Sequence, residues 1–250
     1  MPIIEQLESL RRRLLMSLAV FLVFAAAVYG MNTQVFELAS APFVRALPEV
    51  AGGLKGSLED NLIYINPLEA FSARLKLSLY AGFLLCCPLF FRLGWLFAVG
   101  IGLVERRYVW LLTLSCSLFF WGGTVFSYYL IMPLALRFFL SFSSPVLSAT
   151  WSVGRYTDFL IQFTLVFGLV FELPMIMLVL GRLGLVNVKL LRAQRGYVLV
   201  AIFLLAALFT PPDIVTQLFL GIPLVILFEF SLFLVQWTSQ AAGAGQEDDF

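Results

Sequence analysis

Apolar residues fall in long blocks along this chain, separated by short polar stretches, and neither the period of two of a strand nor a single helical stripe dominates. Each long block approaches the roughly 20 residues that a helix needs to cross a bilayer. Six blocks predict six membrane helices, at about 14–30, 71–91, 108–132, 159–180, 197–209 and 214–237. The fifth is about 13 residues and falls short of a full span. It is joined to the sixth by Thr210-Pro-Pro-Asp213, and the pair is expected as two short helices. Between the first and second blocks, residues 31–70 carry Pro42, Pro48, Gly52, Gly53 and Pro67. That stretch predicts an extramembrane loop with short amphipathic pieces. Residues 92–107, 133–158 and 181–196 read as further loops, and 238–250 as a disordered cytoplasmic tail.

The first block follows Arg11-Arg12-Arg13 and could pass for a secretory signal. Its length and the spans behind it favour a retained first helix.

Composition sharpens this into an all-α polytopic membrane protein with one transmembrane domain, 1–237. Of 250 residues 61% are hydrophobic and 12% charged, with mean hydropathy +0.97. A soluble domain carries about 25% charged residues, so the bilayer is the solvent here. Lys and Arg set the orientation. With the N-terminus inside, the inner segments hold ten of the 16 and the outer six, which predicts both termini in the cytoplasm.

Histidine is absent. That removes His-ligated metal, Ser-His and Cys-His nucleophile pairs and zinc proteases of the HExxH type. Cys86, Cys87 and Cys116 lie inside apolar runs and read as small hydrophobes. No cofactor, metal, nucleic-acid partner or catalytic residue is expected.

One group stands against the apolar pattern: Glu172, in Phe163-Thr-Leu-Val-Phe-Gly-Leu-Val-Phe-Glu172-Leu-Pro174. A carboxylate at the centre of a span costs about 2.5–3.5 kcal/mol on insertion scales and marks a polar site by default. Pro174 clashes with the carbonyl of Val170, which predicts a kink beside it. A helix–helix hydrogen bond is the plainer alternative, and a proton-coupled small-solute transporter using Glu172 is the functional one.

Several stretches, in order, resemble the TatC family, the polytopic subunit of the twin-arginine protein translocase. They include Glu5-x-Leu7-x-x-Leu10-Arg11-x-Arg13-Leu14, Ser40-Ala-Pro42 with Leu47-Pro48, Trp95-x-Phe97 and Glu105-Arg106-Arg107. Further along come Phe167-Gly168 with Phe171-Glu172-Leu-Pro174, Leu191-Arg192-x-x-Arg195-x-Tyr197, Thr210-Pro-Pro-Asp213 with Gln217, and Ile222-Pro223 with Glu229. The resemblance implies a non-enzymatic role: receiving twin-arginine signal peptides of folded cargo and exporting that cargo with the proton-motive force. It implies TatA- and TatB-type single-span subunits as partners in an oligomeric complex embedded in membrane lipid.

The resemblance also nominates residues. Glu105 matches an acid that receives the arginines, on a surface that takes in Arg11 and Phe97. The family's other acid falls on Ser9, so Glu8 beside it, or Glu5 one turn earlier on the same face, stands in. Arg92 adds positive charge close to a surface that should bind cations. Gln217, Glu229, Pro48 and Asp213 are candidate contacts to partner helices. For Gln217 and Glu229 a structural role is open, and Asp213 also reads as a helix N-cap.

Overall fold

The computed structural model describes residues 3–50, 62–63, 65–141, 151–184, 192–209 and 214–244. Among these, helices dominate: α1 (Ile3–Gly30), α2 (Asn32–Val50), α3 (Pro67–Gly100), α4 (Val109–Phe126), α5 (Met132–Leu140), α6 (Val153–Val170), α7 (Leu173–Arg182), α8 (Arg195–Phe209) and α9 (Ile214–Ala244). Hydrocarbon offers backbone groups no partner, so spanning segments close their hydrogen bonds internally. Among the described residues, five stretches are long and apolar enough to cross a membrane, and 195–207 is a sixth, shorter apolar helix. The chain divides into two compact units, 1–165 and 166–250.

In the first unit α1 packs on α3, and α3 on α4. The α1–α3 contact is close because Gly82 has no side chain: a Cβ there would lie 2.9 Å from both Cα and N of Ala25. Small residues let membrane helices approach in this way. At the other end of α3, Asn66 caps the helix through Leu68 N, with Pro67 in the first turn. Glu69 then reaches back. Its carboxylate accepts from Ile65 N at 3.0 Å and from Gly154 N at 2.9 Å. This ties the start of α3 to the start of α6, beside the two-residue parallel pairing of β1 (Leu62–Ile63) with β2 (Trp151–Ser152). Lys76 and Asp158 add an ion pair between α3 and α6.

The segment 31–70 is not the broken loop its prolines predict, because residues 32–50 form α2. Pro42 deprives the carbonyl of Leu38 of its helical donor, and the hydroxyl of Tyr128 supplies one. Tyr156 donates to the adjacent Ala39 carbonyl at 2.6 Å. Phe43, fully buried, packs edge-on against Tyr156 and Trp151. Tertiary donors therefore hold α2 in a helix that its sequence alone would break.

The third span widens into a π-helical stretch at Ser127–Ile131 before α5. It lies directly ahead of Pro133, whose ring crowds the Tyr129 carbonyl. Helix also replaces expected loop at 92–100, at 133–140 and at 153–158.

In the second unit α9 packs on α7 and on α8. Gly181 on α7 meets Val235 on α9, and Gly221 on α9 meets Phe203 on α8. The fourth span is interrupted as Pro174 predicts: α6 stops at Val170 and α7 starts at Leu173. The fifth span, α8, is short at 15 residues. The sixth is not: α9 is helical for 31 residues, because its helix continues beyond the apolar run that ends near Trp237.

Candidate functional site

The connection from α3 to α4 presents the main candidate acid. α3 ends at Gly100, and Gly102 takes a left-handed φ of +77°. Gly102 N donates to Val99 O at 3.1 Å and Leu103 N to Ala98 O at 3.0 Å. These two bonds are a Schellman closure, which satisfies the last carbonyls and turns the chain away from the helix. Three residues on, Glu105 sits on extended backbone (φ −76°, ψ 141°) ahead of the single 3-10 turn Arg106–Tyr108. Its side chain caps nothing. The carboxylate pairs instead with Arg107, 2.7 Å from Nε and 3.3 Å from an Nη, both side chains about two-thirds exposed. Arg107 also stacks over Tyr108.

Of the structural alternatives for Glu105, the partner is Arg107; Arg106 takes no part in the pair. An exposed pair of this kind contributes about 0–1 kcal/mol. A guanidinium arriving from outside meets a carboxylate already set in fork geometry, held by a partner that is easily displaced.

The other expected members of this surface are distributed as follows. Phe97 is 47% exposed on the last turns of α3, so it stands on a helix and not in a loop. Glu8 and Arg11 are exposed on α1. Among the described residues Glu8 makes no ion pair with Arg11 or Arg12, and none joins it to Glu105. Glu5 and Ser9 lie on the α1 helix four residues apart, hence on one face. Their side chains lie outside the described residues, as does that of Pro48 on α2, and Asp213 lies outside them entirely.

Glu172 occupies the break between α6 and α7 and is 5% exposed, so its carboxyl is enclosed by protein. Its backbone closes the interruption. Glu172 N donates to Leu169 O at 3.1 Å, and its carbonyl accepts from Met175 N at 3.0 Å and Ile176 N at 2.9 Å.

Gln217 and Glu229 both work within the α8–α9 hairpin. Gln217 Nε2 donates to the Phe203 carbonyl at 2.8 Å. Glu229 pairs with Arg195 at 3.4 Å, and Arg192 donates to Gln236 at 2.7 Å. The polar contacts thus occur at the start of the short fifth span and at its middle.

Sequence reasoning missed Glu69, although Asn66-Pro67-Leu68-Glu69 is a helix-start signature: cap, proline in the first turn, acid in the first turn. It also missed Trp121, Tyr128 and Tyr156 as donors to distant carbonyls, which no local pattern marks. Among the described residues no cluster of His, Cys, Asp or Glu is suited to a metal.

Comparison with known proteins gives a consistent answer. The family model described as Sec-independent protein translocase protein (TatC) matches residues 5–223. A protein of Desulforapulum autotrophicum named Sec-independent protein translocase protein TatC is 37% identical over 232 residues, covering 92% of this chain and 83% of that one. One of the same name from Aquifex aeolicus is 33% identical, covering 94% of each chain. A crystal structure titled Twin Arginine Translocase Receptor- TatC superposes with a TM-score of 0.77 at 31% identity, covering 93% of this chain and 99% of the other.

Proposed function

The chain belongs to the TatC family, the multi-pass membrane subunit of the Sec-independent, twin-arginine protein translocase, and from that premise we propose that its Glu105 surface receives the paired arginines of a signal peptide. The observation that carries this is the exposed Glu105 carboxylate, set on extended backbone beyond a Schellman turn and paired with a displaceable arginine. Charge-assisted bonds from a planar guanidinium fit that acceptor better than a lysine ammonium does. Phe97 offers an apolar contact on the preceding helix, and Glu8, Glu5, Ser9 and Arg11 form the α1 side of the surface.

In this reading both termini are cytoplasmic, supported by ten Lys and Arg on the inner segments against six on the outer. Glu172 is a buried polar station used during proton-motive-force-driven export. TatA- and TatB-type single-span subunits pack against positions among Pro48, Asp213, Gln217 and Glu229, giving an oligomeric complex.

The test is direct binding. A fluorescent signal peptide bearing Arg-Arg should bind the purified protein in lipid nanodiscs at least about tenfold more tightly than its Lys-Lys counterpart, the size of one charge-assisted bond. Equal binding of the two peptides would remove the receptor role.

A further inference from the structure

Two helices of the first unit face each other with the same stripe. On α1, Arg13, Met16, Ser17 and Val20 are spaced i, i+3, i+4, i+7; on α3, Leu89, Arg92, Leu93 and Leu96 repeat that spacing. Residues so spaced share one helical face. The two stripes line a cavity of about 310 Å³, and Arg106, from the turn after α3, completes it.

The lining is divided. Three guanidinium groups represent its charge, and no carboxylate is present. Among the described residues none of Arg13, Arg92 and Arg106 is ion-paired, and Glu105 next door is taken by Arg107. Arg92 stacks over Trp110, 4.5 Å from the ring centre. Stacking uses the guanidinium face and leaves its N–H edges free in the plane. The rest of the wall is Ser17 and the apolar side chains of Met16, Val20, Leu89, Leu93 and Leu96. Met16 is 58% exposed and Leu89 37%, so the apolar wall opens toward the outer surface of the helices.

Three like charges repel the paired arginines of a signal peptide, so this is not a second part of that surface. They suit an anion. A small free anion would leave the apolar wall bare, whereas a lipid brings a phosphodiester for the arginines and acyl chains for the wall. Basic pockets between membrane helices are a recognised setting for anionic headgroups. We propose that the cavity between α1 and α3 is a binding site for one anionic glycerophospholipid, its phosphate held by Arg13, Arg92 and Arg106 and its upper acyl chain laid on Met16, Val20 and Leu89. The lipid assignment does not rest on the Glu105 reading, since the cavity lining contains no carboxylate.

The experiment is native mass spectrometry of the full chain in detergent, titrated with phosphatidylglycerol or with phosphatidylcholine of the same acyl chains. The expected result is preferential retention of one phosphatidylglycerol. Arg92→Gln should lower that preference about fivefold, the effect of one basic residue at a membrane surface. The triple change Arg13→Gln, Arg92→Gln, Arg106→Gln should abolish it, and the triple lysine variant should retain much of it, showing that the fold tolerates change there. Equal retention of the two lipids, or no effect of the triple glutamine change, would overturn the proposal. So would displacement of the lipid by millimolar inorganic phosphate or glycerol 3-phosphate, which would mark a site for the free anion.

Discussion

The indole Nε1 of Trp121 on α4 lies 3.0 Å from the carbonyl oxygen of Leu84 on α3 and donates to it. That carbonyl is the one Pro88 leaves without a helical donor, four residues on. Pro42, Leu38 and Tyr128 repeat the relationship in α2. A proline is tolerated inside each helix because an aromatic donor on a neighbouring helix satisfies the freed carbonyl.

The pairing predicts a coupling. Trp121→Phe keeps the ring and removes the donor, and should cost about 0.6 kcal/mol and at most about 1.7. In a Pro88→Ala background residue 88 regains its N–H, and the same change should cost little. Thermal unfolding of the four proteins in one detergent measures the cycle, and additive effects would show that Trp121 serves only as packing area.

A second prediction concerns the α1–α3 crossing. A methyl on Gly82 meets the backbone of Ala25 at 2.9 Å, and backbone cannot swing aside as a side chain can. Gly82→Ala should therefore destabilise by about 1–3 kcal/mol, the usual cost of overpacking. Gly94 lies on the same helix with nothing within 4 Å of its added Cβ. Gly94→Ala should be neutral or gain about 0.5–1 kcal/mol from helix propensity. Unfolding temperatures in the opposite order would place the close contact elsewhere.

These contacts also mark the limit of what was legible in the sequence. The spans were legible because a bilayer demands long apolar helices, and a distortion beside Glu172 because Pro174 removes a helical hydrogen bond there. α2 was not, since its helicity depends on hydroxyls of Tyr128 and Tyr156 far along the chain. The reach of α3 to Gly100 was hidden by Arg92, which looks like a loop residue until its stacking on Trp110 is seen. Gly102 carried the helix-end signal that a search for apolar runs passes over. Glu105 was legible as a candidate from its motif, whereas its pairing with Arg107 needed coordinates.

For Glu105 the expected outcome has two sides. Glu105→Gln should weaken twin-arginine peptide binding by up to about fivefold, the upper end for an exposed ion pair, and by more than Glu8→Gln does. Arg107→Gln removes the internal competitor and should strengthen binding a few-fold at low salt, fading as salt screens the surface. Titrations at two ionic strengths check both, and a larger loss from Glu8→Gln would move the receptor acid to α1.

The short fifth span predicts local thinning. Fifteen helical residues reach about 22 Å at 1.5 Å each, against about 30 Å of hydrocarbon. Spin labels placed singly along 197–207 should report shallower maximum depth than labels along α3 in the same vesicles. Equal depths would mean that the bilayer meets α8 without deformation.

Glu172 separates two costs that a buried acid combines, shape and charge. Glu172→Gln keeps the shape and some hydrogen-bonding capacity but cannot gain or lose a proton. Glu172→Ala removes both and leaves a void at a site only 5% exposed, where truncation costs about 2–5 kcal/mol in comparable cores. If the carboxyl serves export, the glutamine variant should unfold near the wild-type temperature yet export a twin-arginine cargo more slowly, while the alanine variant loses stability as well. Matching losses of stability and export in both variants would assign Glu172 to architecture. Wild-type export by the glutamine variant would show that the proton is dispensable, and the cost of an acid inside the span would then have to be explained by the break it occupies between α6 and α7.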